Sequence, residues 1–283
     1  MLAPQRQDRI LAQIRAHGAV RVTDLVDELD VSDMTVRRDI SELARAGLVR
    51  RVHGGAVAPE PAGRSTHEPG FETKRTWAAA EKAAIAREAL ATIEPGQAIA
   101  LSAGTTTHLL AELIAADLSL RPLTVVTNSL PVADALHHAP SQAGHAALEV
   151  ILTGGVRTPS DALVGPVADA AIERLRVDRA FLGVHGLDRR GATTPNLLEA
   201  ATDQALVASA ARLTVLADHT KWGVVGLARI ASLDQIDLLL SDDGLPAEAR
   251  AILEDTVGQL VLATTPTTPS PPTTSAPPTP EDL

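Results

Sequence analysis

Thr35, Arg37, Arg38, Ser41 and Arg45 put hydroxyls and guanidinium groups on one side of what their spacing predicts to be a helix. A guanidinium is a planar fork that bonds guanine O6 and N7 together or clamps a phosphate, so the chemistry on offer is the reading of a nucleic acid duplex. A different chemistry is offered by Ser102-Ala103-Gly104-Thr105-Thr106-Thr107. Here Gly104 lets backbone approach a ligand closely, the hydroxyls of Thr105, Thr106 and Thr107 donate, and the first N–H groups of a following helix favour an anion. Read alone, this loop is equally ordinary Ser/Thr capping. Thr127-Asn128-Ser129 is suited to hydroxyls or phosphate, and Thr153-Gly154-Gly155 serves just as well as a plain strand-ending turn.

The arginine face needs a helix, and the sequence supplies its start, face and stop. Ser32 is a capping residue, and Asp33 puts negative charge where the helix dipole is positive. Val36, Ile40, Leu43 and Ala44 recur at three- and four-residue spacing and form the apolar side, and Gly47 ends the helix. Beyond it, Leu48 to Val52 and Ala56 to Val57 flank His53-Gly54-Gly55, a small hairpin or wing. Upstream, Ile10, Leu11 and Ile14 mark one helix, and Val22, Leu25, Val26 and Leu29 mark a shorter one beginning near Thr23. Only Asp30-Val31-Ser32 separates that helix from the next. A short helix, a tight turn and a longer helix with exposed arginines is the arrangement that lays its last helix in the major groove. The competing reading is a small three-helix domain whose arginines are merely solvated.

The Gly-Thr loop needs a sheet. From Trp77 to Ala263 helical and strand patterns alternate: helices at 81–93, 105–116, 131–137, 168–175, 199–210 and 247–253, strands at 97–101, 123–126, 149–152, 179–182, 212–216, 238–240 and 259–263. Short apolar strands alternating with helices predict a mostly parallel sheet covered on both faces, with ligands at the carboxyl ends of its strands. The chain therefore divides into a DNA-binding domain (1–58), a Pro- and Gly-rich linker (59–76), an α/β domain (77–263) and a Thr/Pro/Ser tail (264–283) of disordered composition. No internal repeat is evident.

The formal charge is −10 over 283 residues, of which 45% are hydrophobic. Residues 1–58 carry nine arginines against eight carboxylates, and within Thr35–Gly54 there are five arginines against Asp39 and Glu42. Duplex binding must then come from a focused basic strip on an acidic molecule, with at least two copies needed for tight binding. Cysteine is absent, which excludes disulfides and thiolate metal sites and suits a reducing cytosol. No apolar run approaches the roughly 20 residues of a membrane span, and MLAPQRQDRI lacks the apolar core of a secretion signal. A cytoplasmic protein without membrane association is expected, with no metal and no cofactor.

Arg9-Ile10-Leu11, Val22-x-x-Leu25-Val26-x-x-Leu29-x-Val31-Ser32-x-x-Thr35-Val36-Arg37-Arg38-Asp39-Ile40-x-x-Leu43 and Arg51-Val52-His53-Gly54-Gly55-Ala56 together resemble the amino-terminal signature of DeoR-type bacterial transcriptional regulators. The resemblance implies a winged helix-turn-helix that binds operator DNA, usually to repress genes of sugar or nucleoside metabolism. It implies operator contacts by Ser32, Thr35, Arg37 and Arg38, with Arg51 and His53 in the wing. Ser102-x-Gly104-Thr105-Thr106-Thr107, Thr127-Asn128-Ser129, Gly154-Gly155, Gly165-Pro166, Asp178 to Asp188, Glu199-Ala200 and Asp218-x-x-Lys221 resemble the effector domain of the same family. That domain is similar in fold to ribose-5-phosphate isomerase and glucosamine-6-phosphate deaminase. The resemblance implies a phosphorylated-sugar effector held by Ser102, Gly104, Thr105, Thr106, Thr107, Asn128, Gly154, Gly155, Asp188, Glu199 and Lys221, and a homo-oligomer, dimer or tetramer. Lys221 is alternatively a solvated lysine, and Asp188 and Glu199 alternatively form structural ion pairs. The family commonly has Asp where this chain has Ser102, a weaker and neutral acceptor.

The rival reading is a domain that still isomerises or deaminates a sugar phosphate, which needs a general base beside C2 and a second proton-moving group. The isomerases place Asp-Gly-Ala-Asp-Glu after the strand matching Ala180–Leu182, where this chain has Val184-His185-Gly186-Leu187-Asp188. That departure favours sensing without turnover, and no catalytic residue is assigned. A third reading is a regulator with no small-molecule effector, controlled by protein contacts through the tail.

Overall fold

A computed structural model describes residues 2–17, 19–46, 48–52, 54–57, 64–65, 70–138 and 147–265. The amino-terminal unit comprises α1 (Ala3–His17), β1 (Ala19–Arg21), α2 (Val22–Leu29), α3 (Asp33–Arg45), β2 (Arg50–Val52) and β3 (Gly55–Val57). Ile10, Ile14, Leu25, Leu29, Val36, Ile40 and Leu43 come from all three helices and form one buried core, closed by Val49 and Ala56 of the wing. Asp30 turns the chain between α2 and α3 in the left-handed region. The wing is a three-stranded antiparallel sheet in the order β1-β3-β2. Strand β1 was not anticipated, because three residues between two helices are too short to show alternation. It fixes the wing: Gly55 is opposite Arg21, and a side chain at Gly55 would overlap the Val20 carbonyl oxygen.

The carboxyl-terminal unit begins with β4 (Arg64–Ser65), α4 (Phe71–Arg75), α5 (Ala79–Leu90), β5 (Ala98–Leu101), α6 (Thr105–Ala116), β6 (Leu123–Thr127), α7 (Leu130–His137) and β7 (Leu148–Leu152). It continues with β8 (Val156–Arg157), β9 (Leu163–Val164), α8 (Pro166–Ile172), β10 (Arg179–Gly183), β11 (Gly186–Asp188), β12 (Gly191–Thr194) and α9 (Leu197–Ser209). Last come β13 (Leu213–Leu216), β14 (Val225–Gly226), β15 (Ala228–Ala231), β16 (Leu238–Asp242), α10 (Ala247–Thr256) and β17 (Leu260–Ala263). Seven strands form one parallel sheet in the order β17-β16-β13-β10-β5-β6-β7. Its two faces carry separate cores, one under α5, α6 and α7, the other under α9 and α10. Central strands such as β13, buried along its whole length, are apolar on both faces, as a doubly covered sheet requires.

Two departures from the sequence reading matter for function. An antiparallel sheet β11-β12-β15 stands beside the main one and carries a wall of the site. Within residues 59–76, β4 pairs with β14, and α4 packs on α6, with the buried ring of Phe71 edge-on to His108 at 5.4 Å. The rest of that linker, at 59–63 and 66–69, and the tail from 266 lie outside the described residues.

Candidate functional site

The candidate DNA-reading side is that of α3. Ser32 caps it, its hydroxyl oxygen accepting from the Thr35 N–H at 3.3 Å and meeting the Thr35 hydroxyl at 2.9 Å. Arg37 and Arg38 are both exposed one turn along. Each is held by a carboxylate four residues away: Arg37 Nε and Nη2 donate to Asp33 at 2.5 and 3.1 Å, and Arg38 Nε donates to Glu42 at 3.2 Å. These solvent-exposed pairs contribute little to stability. Arg51 is exposed on β2, and His53 lies outside the described residues. Asp39, which by composition alone weakens the basic strip, is buried and accepts from Arg6 Nε and Nη2 of α1 at 2.7 and 3.3 Å. Its charge is spent on fixing α3 to α1.

At the carboxyl end of the parallel sheet, the loops after β5 and β10 cross. Ser102 N donates to the Phe181 carbonyl at 3.0 Å, and Gly183 N donates to Ser102 Oγ at 3.0 Å. Asn128 braces the same loop: its Oδ1 accepts from Ala103 N at 3.1 Å while its Nδ2 donates to the Leu163 carbonyl at 3.3 Å. Thr107 donates to the Gly104 carbonyl at 3.0 Å. A methyl group on Gly104 would sit 3.2 Å from the Thr107 hydroxyl, so the loop is tightly drawn against the turn it starts. Gly104 caps α6 without a side-chain bond, leaving the first N–H groups of that twelve-residue helix directed at the cavity beyond.

Gly104, Thr105, Thr106, Glu199 and Lys221 line that cavity together with Lys74, Lys82, Ser160, His185, Thr194 and Asp203. Ser102, Thr107, Asn128, Gly154, Gly155 and Asp188 do not. The first three frame the loop from behind. Gly154 and Gly155 pack near α8, where a Cβ on Gly155 would meet the Val164 carbonyl oxygen at 2.7 Å. Asp188 turns the β11–β12 hairpin, accepting from Arg190 N at 2.9 Å.

The chain has three lysines, Lys74, Lys82 and Lys221, against 22 arginines. All three line this one cavity. Lys82 enters from α5 and is 2% exposed. Its Nζ donates to the Lys74 carbonyl at 2.7 Å. Burial first, then the neighbouring charges of Lys221 and Lys74, lower its pKa to about 7, against the opposing pull of Asp218 and Glu81. Lys221 Nζ lies 3.9 Å from Asp218 Oδ2. Burial works to raise the Asp218 pKa, but Lys221, Lys82 and the Thr220 hydroxyl outweigh it and hold Asp218 below the ordinary carboxylate range. His185 is pushed down to about 4 by burial and by Lys221 and Lys74, and its buried Nε2 has no hydrogen-bond partner among the described residues. Glu199 is braced by three hydroxyls: Thr158 at 2.6 Å, Thr194 at 3.4 Å and Ser160. A cavity holding three amines at the start of a helix is arranged for an anion, and the braced carboxylate opposite suits hydroxyl groups.

Lys82 and Lys74 escaped the sequence reading. Lys82 shares a helical face with Ile85, Ala86 and Ala89, all fully buried, and a lysine in register with such a face was the available signal.

Residues 6–62 match the DeoR-like helix-turn-helix domain, and residues 77–243 match the DeoR C terminal sensor domain. The chain belongs to the DeoR family of transcriptional regulators. Among DeoR-family relatives, it is 33% identical over 263 residues to the uncharacterized HTH-type transcriptional regulator YgbI of Escherichia coli strain K12, covering 92% of this chain and 98% of that one. It is 37% identical over 256 residues to the HTH-type transcriptional regulator GlpR of Haloferax volcanii, covering 90% and 95%. To the lactose phosphotransferase system repressor of Staphylococcus aureus strain N315 it is 34% identical over 242 residues, covering 84% and 91%. Among solved structures, the Pyrococcus horikoshii OT3 translation initiation factor eIF-2B overlays with a TM-score of 0.42 at 14% identity, over 80% of this chain and 74% of that one. Ribose 5-phosphate isomerase A from Methanocaldococcus jannaschii overlays with a TM-score of 0.35 at 16% identity, over 50% and 53%. As in the sequence reading, this DeoR-family chain is a helix-turn-helix regulator joined to a parallel α/β domain. Among the described residues no helix is long and apolar enough to cross a membrane.

Proposed function

We propose that this DeoR-family regulator represses genes of sugar metabolism and leaves its operator when a phosphorylated sugar binds the lysine-lined cavity. The observation that carries the reading is the convergence of every lysine in the chain on one cavity at the start of α6. The phosphate would take the N–H groups of α6, the hydroxyls of Thr105 and Thr106, and the ammonium groups of Lys82 and Lys221. Sugar hydroxyls would meet Glu199 and Ser160. The lactose phosphotransferase system repressor among the relatives supports a sugar-linked gene set. Operator reading falls to Ser32, Thr35, Arg37 and Arg38 on α3, with Arg51 and His53 at the wing. Ser102 and Asn128 act by holding the loop. Two or more copies would pair half-sites. Exposed Leu152, Val156 and Val167, beside the outer strand β7, offer an apolar surface for that association.

Sensing without turnover follows from the same cavity. Where the isomerases carry their acidic cluster this chain has Val184-His185-Gly186-Leu187-Asp188, and Asp188, its one acid, turns the β11–β12 hairpin and does not line the cavity. The test is a thermal-shift panel of sugar phosphates, followed by gel-shift release from an operator duplex selected from a random library. A member that raises the melting temperature and frees the duplex is expected. Failure of every member to bind, or multiple turnover of one, overturns the reading.

A further inference from the structure

The effector cavity and the DNA-reading unit are both in reach of one short element, α4. On one side α4 contributes Lys74 to the cavity, and its carbonyl receives Lys82 Nζ at 2.7 Å. Phe71 pins its start to His108 of α6, the helix whose first turn faces the anion. On the other side Gly70, Glu72, Thr76 and Trp77 form one wall of a cleft of about 480 Å³ whose opposite wall is Pro4 and Gln7 of α1 with Glu42 and Arg45 of α3. Glu42 is the residue that holds Arg38. Just upstream of α4, β4 pairs with β14, four residues beyond Lys221. The segment joining the two domains is thus fastened to a cavity wall through α4 and, through β4, to the strand that follows Lys221.

The free space among the cavity side chains is about 50 Å³. By the measure in which one water needs about 10–15 Å³ this holds a few waters, so the walls lie close around a phosphate ester and a ligand seated among the three lysines presses on them. Strands of the parallel sheet and the buried α5 are fixed by their cores. Helix α4 is five residues long and is the least embedded wall.

We propose that α4 is the relay between effector and operator: an anion that takes the Lys82 ammonium, whose nitrogen is bonded to the Lys74 carbonyl, also draws the Lys74 side chain, and shifts α4 against the helix-turn-helix. This rests on the reading of the cavity as a phosphosugar site. Lys74 is then a coupling residue, and Lys82 the residue that binds. An ammonium has three N–H donors and Lys82 uses one on the Lys74 carbonyl, so an anion held by Lys82 pulls on α4 through that nitrogen and through the Lys74 side chain together.

The experiment uses the full-length protein with inorganic phosphate and ribose 5-phosphate as probes. Selective ¹⁵N-lysine labelling gives three backbone signals, one each from α4, α5 and the loop after β13. All three are expected to move with either probe. Lys74→Met is expected to bind ribose 5-phosphate up to about tenfold more weakly and to stay on the operator even at saturation. Lys74→Arg is expected to restore release, and Lys82→Met to lose binding. If Lys74→Met at saturation releases the operator as the wild type does, or if the Lys74 signal stays still while the other two move, the relay is wrong and the binding site stands. If neither probe nor any other sugar phosphate binds the wild type, the cavity reading fails and takes the relay with it.

Discussion

Replacing Lys82 by methionine separates what the cavity needs from what the fold tolerates. Lys82 is 2% exposed, and its pKa is lowered from 10.5 to about 7, by burial first and by Lys221 and Lys74 second. The unfolded chain holds that proton up to about pH 10.4. Between about pH 7 and 10.5 the unfolded state therefore binds more protons than the folded one. Stability contributed at this residue rises with pH across that window, and the penalty is complete below pH 7. At about 1.36 kcal/mol per pH unit the penalty has an upper bound of about 5 kcal/mol in acid, about 4 at pH 7 and about 1 at pH 9.5. Methionine has a similar volume and no charge, and it forfeits one hydrogen bond to the Lys74 carbonyl, about 1 kcal/mol. Lys82→Met should then be more stable than wild type by about 2–3 kcal/mol at pH 7, with the gain gone near pH 9.5. Urea midpoints of both proteins at pH 6.5, 8 and 9.5 measure it. The same variant should lose about 10- to 100-fold in affinity for ribose 5-phosphate, the worth of one charge-assisted bond. A variant destabilised equally at every pH would show that Lys82 is charged and stabilised by Asp218, and the reasoning would fall.

Arg37→Ala with Arg38→Ala removes two solvent-exposed i,i+4 ion pairs, which add little to stability, so melting should be unchanged. Operator affinity should fall by at least about tenfold, with the salt slope reduced by about 2 if both arginines contact phosphates; unaltered affinity in a gel shift removes them from the interface. Asp39→Asn should destabilise the helix-turn-helix by about 1–3 kcal/mol, since a neutral amide replaces the buried charged acceptor of the half-buried Arg6. Hydrogen exchange confined to residues 3–57 would report it, and an unperturbed head would show the pair to be incidental. His185, held down to about 4, should stay neutral from pH 5 to 8, its ring resonances titrating in acid and moving upward in pH when phosphate is added; a midpoint near the ordinary 6.5 would mean that the cavity is wetter than its geometry implies.

Much of this was written in local pattern. The cap at Ser32, the three- and four-residue spacing of Val36, Ile40 and Leu43, and the glycines of the wing each act within a few residues, and each stands where spacing put it. The seven parallel strands were legible for the same reason, as short apolar runs between helical ones. The site was only half legible. The Gly104–Thr106 turn announces itself, because a loop that feeds a helix start has a composition of its own. Asn128 and Ser102 look like ligand groups in sequence, yet their polar atoms are consumed by backbone groups 25 and 81 residues away. No local pattern can reveal such a partner. Lys82 was hidden differently, as one cation in an alanine-rich helix whose burial is set by the sheet beneath it.

Charge ties the two ends of the molecule together. Beyond residue 58 the chain carries a net −11, and yet its lysines meet in a single cavity. An acidic surface repels a duplex from this domain, while a recess that sets three lysines beside Glu199 and Asp203 offers a small anion donors that the surface does not. Arginine would fill such a recess with its fork, whereas three lysines leave point charges around a compact dianion. On the proposed reading, polyanionic DNA meets the arginines of α3 and the wing, and a phosphate ester meets the lysines and the start of α6. Because α4 borders both, the binding of one anion can bear on the binding of the other without either touching the other's site.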